Sequence, residues 1–323
     1  MDFLTLLIFF VIFFALELTY FKIADRYNIV DHPNHRSSHT NITIRGGGII
    51  FSIALLLWSL YTGWQYSWFL SGLFLISLIS FIDDVNTVSN RIRIIFHLAA
   101  VALLFYQLGV YNLPLYWILL AFIFVIGTIN AINFMDGING ITGGYGLIAL
   151  LTLYYINKFN IAFTEEKYLL MAIIAILVFN FFNFRKKAKC FAGDVGSVSL
   201  AFIILFFLLQ LMIKTGSINY LLLLLVYGLD AVTTIAFRIL RKENVFEAHR
   251  SHYYQFLANE RKVPHLLVAA LYMLVQVIVN VLLVCYLSQG IIYLVAFIFI
   301  AAIIFLLIRF KMEGRQRLLT PRT

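Results

Sequence analysis

Charged side chains are scarce in this chain. Asp, Glu, Lys and Arg make up 12% of its 323 residues, while 63% are hydrophobic. Soluble domains run nearer a quarter charged and half apolar. So few charges exclude a soluble globular domain, and a mean hydropathy of +0.94 points to an integral membrane protein. Cysteine is nearly absent too. Cys190 and Cys285 have no metal-site spacing, and they are expected on opposite faces of the bilayer, which excludes a disulfide between them. No internal repeat, low-complexity tract or soluble domain is visible, so residues 1–323 read as a single transmembrane domain. The first residues lack a basic n-region and a small-residue cleavage site, and read as a membrane helix rather than a removed signal. Acidic residues number 15 against 24 basic ones, a formal net charge of +9. In a membrane protein such an excess reflects basic cytoplasmic loops rather than a nucleic-acid partner.

What the chain does have is long apolar runs. About 20 apolar residues cross the hydrocarbon core as a helix. Eleven candidate spans are legible, at roughly 3–21, 46–62, 67–82, 94–110, 114–131, 141–157, 167–184, 197–213, 219–238, 266–287 and 290–309. The expected fold is all-α and polytopic. Of the 24 Lys and Arg residues, all but Lys158, Lys167 and Lys214 fall in or beside one alternate set of loops. That asymmetry puts this set in the cytoplasm, with the N-terminus outside and the C-terminus inside. The basic tail then lies near anionic headgroups of the membrane lipids.

The chemistry-bearing residues fall in that cytoplasmic set. DHPNHRSSHTNITIRGGG, residues 31–48, offers Arg36, His39 and Arg45 ahead of a triple glycine. Glycines let backbone N–H groups approach an anion closely, although a polar loop with a flexible helix start reads the same way. In FIDDVNTVSNRIR, Asp83 and Asp84 end the third span. Adjacent carboxylates suit Mg²⁺, which takes one or two carboxylates plus substrate phosphates; a solvated helix end is the plainer alternative. In NAINFMDGINGITGG, Asn130, Asn133 and Asp136 recur every three residues and share roughly one helical face. Polar groups at a membrane boundary are costly unless they bind something or hydrogen-bond between helices.

In NFRKKAKCFAGDVGS, Asp194 follows Arg185, Lys186, Lys187 and Lys189. Ser197 is a candidate cap for the next helix, whose N-terminus attracts anions. Finally, RILRKENVFEAHRSHYYQFL carries His249, Arg250 and His252. Without a third ligand the two histidines suit a phosphate better than a metal. An amphipathic interfacial helix with Tyr253, Tyr254 and Phe256 at the membrane surface accounts for the same stretch.

Read in order, RxxH…GGG, DDxxx, NxxNxxDGxxG, FxGDxGS and HRxH, set among eleven spans, resemble the polyprenyl-phosphate N-acetylhexosamine-1-phosphate transferase family over nearly the whole chain. The resemblance implies an Mg²⁺- or Mn²⁺-dependent enzyme of a bacterial cytoplasmic membrane, its active site on the cytoplasmic face. A UDP-HexNAc gives its sugar-1-phosphate to undecaprenyl phosphate and UMP leaves; dimers occur in the family. By the same resemblance Asp194 is the chief metal ligand, with Asp83 and Asp84 the next candidates, for the metal or for the acceptor phosphate. Asn133 and Asp136 meet the nucleotide or its diphosphate, with Asn130 and Asn139 as further substrate-binding candidates. His249, Arg250 and His252 face the diphosphate or sugar, and Arg36, His39 and Arg45 the phosphates. Asp230 occupies a family acidic position, with helix packing as the alternative. Thr87 stands where many relatives have a third aspartate, and Asn139 replaces an aspartate linked to the base pocket. Arg36-Ser37 replaces an Arg-Lys pair, and Ile44 a proline. RSSH, RGGG and HRSHYYQ look most like the O-antigen-initiating branch, whose donors include GlcNAc and deoxy amino sugars such as FucNAc and QuiNAc. A transporter or lipid flippase is the competing class; it would carry ionisable groups near the midplane. A non-catalytic membrane scaffold is a third, disfavoured by the presence of every acidic motif.

Overall fold

A computed structural model describes residues 3–32, 42–245, 250–287 and 290–320. Arg36, His39 and His249 lie outside the described residues.

Each of the eleven expected spans falls on one helix: α1 (Phe3–Arg26), α2 (Ile49–Thr62), α3 (Ser67–Val85), α4 (Asn90–Leu108), α5 (Leu115–Met135), α6 (Ile141–Tyr155), α7 (Glu166–Asn183), α8 (Gly193–Thr215), α9 (Leu225–Leu240), α11 (His265–Leu282) and α12 (Ile291–Glu313). Two short helices, α10 (Tyr253–Gln255) and α13 (Arg315–Leu319), and one two-stranded ribbon, β1 (Val30–Asp31) with β2 (Thr43–Ile44), complete the described α-helices and strands; short 3-10 and π segments join some of them. Among the described residues, nine helices are long and apolar enough to cross a membrane, and α2 is a shorter apolar one. The protein is an all-α polytopic membrane protein.

α8 is the axis of the bundle. Its sequence is apolar all round after the first turn, and 83% of its most apolar window is buried. A helix hydrophobic on every face belongs inside, and α8 packs against α2, α3, α5 and α6. α12 is more apolar still, yet only 6% of its window is buried. Its face is left to lipid.

α9 is entered through a tighter 3-10 stretch, Ile218–Leu224. The change of pitch strands backbone groups, and in hydrocarbon each unsatisfied one costs several kcal/mol. Gln276 on α11 donates to Leu222 O at 2.8 Å and accepts from Val226 N at 3.1 Å, while Tyr145 on α6 donates to Gln276 Oε1 at 2.7 Å.

The segment that matters most for the site is a backbone seam. Ile44 O accepts Phe191 N at 2.8 Å, Phe191 O accepts Gly47 N at 2.8 Å, and Ala192 O accepts Gly48 N at 3.1 Å. This zips the triple-glycine turn onto the entry to α8, with Gly48 against the Cα of Gly196 where any Cβ would collide.

Three sequence expectations need correcting. α5 runs on to Met135, so Asp136 caps its end instead of sharing a helical face with Asn133. Residues 238–257 do not form one amphipathic helix: α9 stops at Leu240, and the described residues before α10 are turn and extended chain. Ser197 does not cap α8, because that helix already begins at Gly193.

Candidate functional site

The cap of α8 comes from another helix. Asp84, at the last turn of α3, accepts Asp194 N on Oδ1 and Val195 N on Oδ2, both at 2.9 Å. The anion at this helix N-terminus is therefore a carboxylate of the chain itself. Gly193 makes the approach feasible. Its φ is +71°, and a Cβ there would lie 2.5 Å from Asp84 Oδ2 and 2.8 Å from Gly46. The glycine of the GDVG stretch is thus needed twice, for its left-handed backbone and for its missing side chain.

Two arginines tie the carboxylates together. Arg45, just after β2, pairs with Asp84 at 2.7 Å and reaches Asp194 at 3.7 Å. Arg93, in the first turn of α4, pairs with Asp83 at 2.8 Å and reaches Asp194 at 3.3 Å. Burial alone would lower the pKa of Arg45, but the charges of Asp84 and Asp194 outweigh it and raise it. Tyr20 on α1 donates to Arg45 O at 2.5 Å and steadies the turn. Asn133 near the end of α5 donates to Asp194 Oδ1 at 3.2 Å and to Ser197 Oγ at 2.9 Å. The cations beside Asp194 are thus Arg45 and Arg93, not the basic run 185–189 expected from proximity in sequence; Arg185 instead lies 4.5 Å from the ring of Phe181.

Exposure separates scaffold from working surface. The side chains of Asp84 and Asp83 are 0% and 7% exposed, whereas Asp194, Arg93 and Arg45 are 21%, 24% and 36% exposed. Asp84 is spent on the helix cap. Asp83 holds Val88 N at 2.6 Å. Asp194 has only longer contacts and is the carboxylate most available to a ligand.

Asp136, half-buried after α5, has its carboxyl pushed up to about 6 by burial, with Asp194 adding to the rise and Arg45 opposing it. Asn139 is buried, and its amide donates to Arg185 O and Lys186 O at 3.0 and 3.2 Å, so it holds the basic loop. Asn130 donates to Ile126 O of its own helix. His252 is buried at the start of α10, with Nδ1 3.4 Å from Asp230 Oδ1. Tyr254 donates to Phe134 O at 3.0 Å, which docks α10 onto the end of α5 beside Asn133 and Asp136.

Three residues near the site were missed in the sequence. Arg93 looked like ordinary positive-inside charge. His97, one turn further along α4, is buried within electrostatic reach of Arg93 and Asp194. Glu17 is fully buried in α1, with Cys190 Sγ 3.7 Å from Oε1. A carboxylate inside an apolar helix is itself a signal, and it was there to be read. Both cysteines are free thiols; Cys190 is buried and Cys285 exposed.

Fold and site together define a polytopic membrane protein with carboxylates and arginines gathered where α3, α4, α5 and α8 meet. Residues 66–212 match the family model described as Glycosyl transferase family 4. The matched stretch contains Asp83, Asp84, Arg93, Asn133, Asp136 and Asp194. Over 257 residues the chain is also 26% identical to the "Probable undecaprenyl-phosphate N-acetylglucosaminyl 1-phosphate transferase" of Bacillus subtilis (strain 168), covering 72% of this chain and 70% of that protein.

Proposed function

We propose that the protein transfers a HexNAc-1-phosphate from a UDP-sugar to undecaprenyl phosphate at the cytoplasmic face of a bacterial membrane, starting a surface glycan. The observation that carries this reading is the pairing of a partly exposed Asp194 with two partly exposed arginines. Cations so placed suit phosphate groups, and the name of the Bacillus subtilis relative supplies the class of acceptor and sugar.

An oxygen of the acceptor phosphate attacks the sugar-bearing phosphorus of the donor. A new P–O bond forms, the bridging P–O bond breaks, and UMP leaves with the electron pair. A phosphate monoester is largely dianionic near neutral pH, so no strong base is required. What remains is positioning and charge neutralisation. Arg45 and Arg93, which bridge the carboxylates, can turn toward the diphosphate. Asn133 and Asp136 hold the donor side, and Arg250 and His252 close over it from α10.

A divalent cation, Mg²⁺ or Mn²⁺, would neutralise the phosphate oxygens and the leaving UMP. Among the described residues no group of three or more metal-binding side chains is preassembled. Asp194 with Asp83 offers two carboxylates to be completed by substrate phosphates, which fits Mg²⁺. Asp84 orients Asp194 through the α8 cap. A transporter or flippase is disfavoured because the carboxylate–arginine cluster lies at helix ends and not midway along them.

The test is UMP release by purified protein with Mg²⁺, undecaprenyl phosphate and a panel of UDP-GlcNAc, UDP-FucNAc and UDP-QuiNAc. Release with one or more sugars is expected. Silence with all of them would defeat the reading.

A further inference from the structure

α12 buries only two of its 23 residues, Leu294 and Arg309. A lipid-facing helix gains nothing from a fully buried guanidinium unless it is used, since burying a charge is costly without partners. Arg309 is 1% exposed and saturated with contacts. Its Nη1 donates to Thr233 and Thr234 on α9, both at 2.9 Å, its Nη2 to Ser251 O at 3.0 Å, and its Nε to Glu313 at 2.5 Å.

Ser251 is gripped from other sides as well. Arg241 donates to its Oγ at 3.3 Å and Thr234 to its carbonyl at 3.4 Å. The next residues belong to Asp230. Its Oδ1 accepts Tyr253 N at 2.8 Å, and its Oδ2 accepts Tyr254 N at 3.2 Å and Tyr272 OH at 2.6 Å. Asp230 is therefore the anion that caps α10, and Arg309 Nη1 lies 4.0 Å from it. Between the two grips stands His252, with Arg250 just before.

We infer that Arg309 and Asp230 are positioning residues of the transfer site: reaching in from α12 and α9, they lock the chain at Ser251–Tyr254 and so set Arg250 and His252 over the donor diphosphate at the end of α5. This deepens the transferase reading and rests on it. Neither residue touches the carboxylate cluster. Their effect passes through the α10 cap and the Tyr254 bond to Phe134 O. The clamp also gives α12 a function that its sparse packing does not explain.

Arg309→Met keeps most of the side chain's volume and deletes every donor. Arg309→Lys keeps charge but cannot serve Thr233, Thr234 and Ser251 together, and it supplies the milder variant should Met fail to insert. For Arg309→Met, kcat/KM for the UDP-sugar is expected to fall by about 100-fold, as small misplacements in reacting geometry do, with Lys intermediate and the KM for undecaprenyl phosphate unchanged. Combining Arg309→Met with His252→Ala should add little beyond His252→Ala alone, because coupled residues are not additive. Hydrogen exchange supplies an arm independent of catalysis: the Tyr253 and Tyr254 amides should lose protection in the Arg309 variants. Multiplicative losses in the double variant, or unchanged exchange at those two amides, would overturn the clamp. Wild-type protein that releases no UMP would defeat the transferase reading instead, leaving the exchange arm to decide whether the clamp exists.

Discussion

Asp84 caps the helix that carries Asp194: its two carboxylate oxygens take the N–H groups of Asp194 and Val195, each at 2.9 Å, across 110 residues of chain. The adjacent aspartates of α3 and the aspartate of α8 are therefore one device. Their roles divide within it. Asp84 is buried in the cap and paired with Arg45, and Asp194 is the more exposed carboxylate, the one proposed to meet a ligand.

That division predicts opposite behaviour for two isosteric changes. Asp84→Asn turns an amide N–H₂ toward a backbone N–H and removes the counterion of Arg45. An unsatisfied buried group costs about 1–3 kcal/mol, so both the melting temperature in detergent and turnover should fall. Asp194→Asn should leave the melting temperature near wild type and abolish turnover. Thermal denaturation alongside UMP release reads both.

Arg93 bridges Asp83 and Asp194 through different nitrogens, at 2.8 and 3.3 Å. Lys has a single point charge and lacks the guanidinium fork. Arg93→Lys is therefore expected to lower kcat about 10-fold or more, of the order of one charge-assisted hydrogen bond, and Arg93→Ala further still. Steady-state kinetics of the two variants checks the order.

Asp136 gives a pH-dependent prediction. Its carboxyl sits at about 6 in the folded protein, above the ordinary 3.8, because burial penalises the charge. A raised acid favours the folded state when protonated. Its contribution is present below about pH 4 and is lost as pH rises through 6. Asp136→Asn, which is neutral throughout, should raise the melting temperature at pH 8 relative to wild type, by less at pH 5. Activity should fall even where stability rises. An equal shift at both pH values would contradict the assignment.

Much of the fold was legible because a bilayer imposes a length on each apolar run, and the eleven runs fall on eleven helices. The site's acidic members were legible as carboxylates stranded at span ends. What escaped was whatever depends on a distant partner. Ser197 had the right chemistry for a cap, but Asp84 reached the position first. The lysines beside Asp194 in sequence gave way to Arg45 and Arg93, delivered by β2 and α4. Asn139 was a substrate-binding candidate, and its amide is found holding the carbonyls of Arg185 and Lys186. The partners of Arg309 escaped altogether, since nothing near it in sequence reveals Ser251. Local pattern identified the groups; packing decided which of them face one another.

The central claim is that a sugar moves together with its phosphate onto a lipid phosphate. It is tested most directly with a UDP-HexNAc radiolabelled in the phosphate that bears the sugar. Incubated with the purified protein, Mg²⁺ and undecaprenyl phosphate, the label should pass into the organic-extractable lipid as UMP appears in the aqueous phase. Asp194→Asn should do neither. Label that stays water-soluble while UMP is released would mean hydrolysis rather than transfer, and would contradict the account.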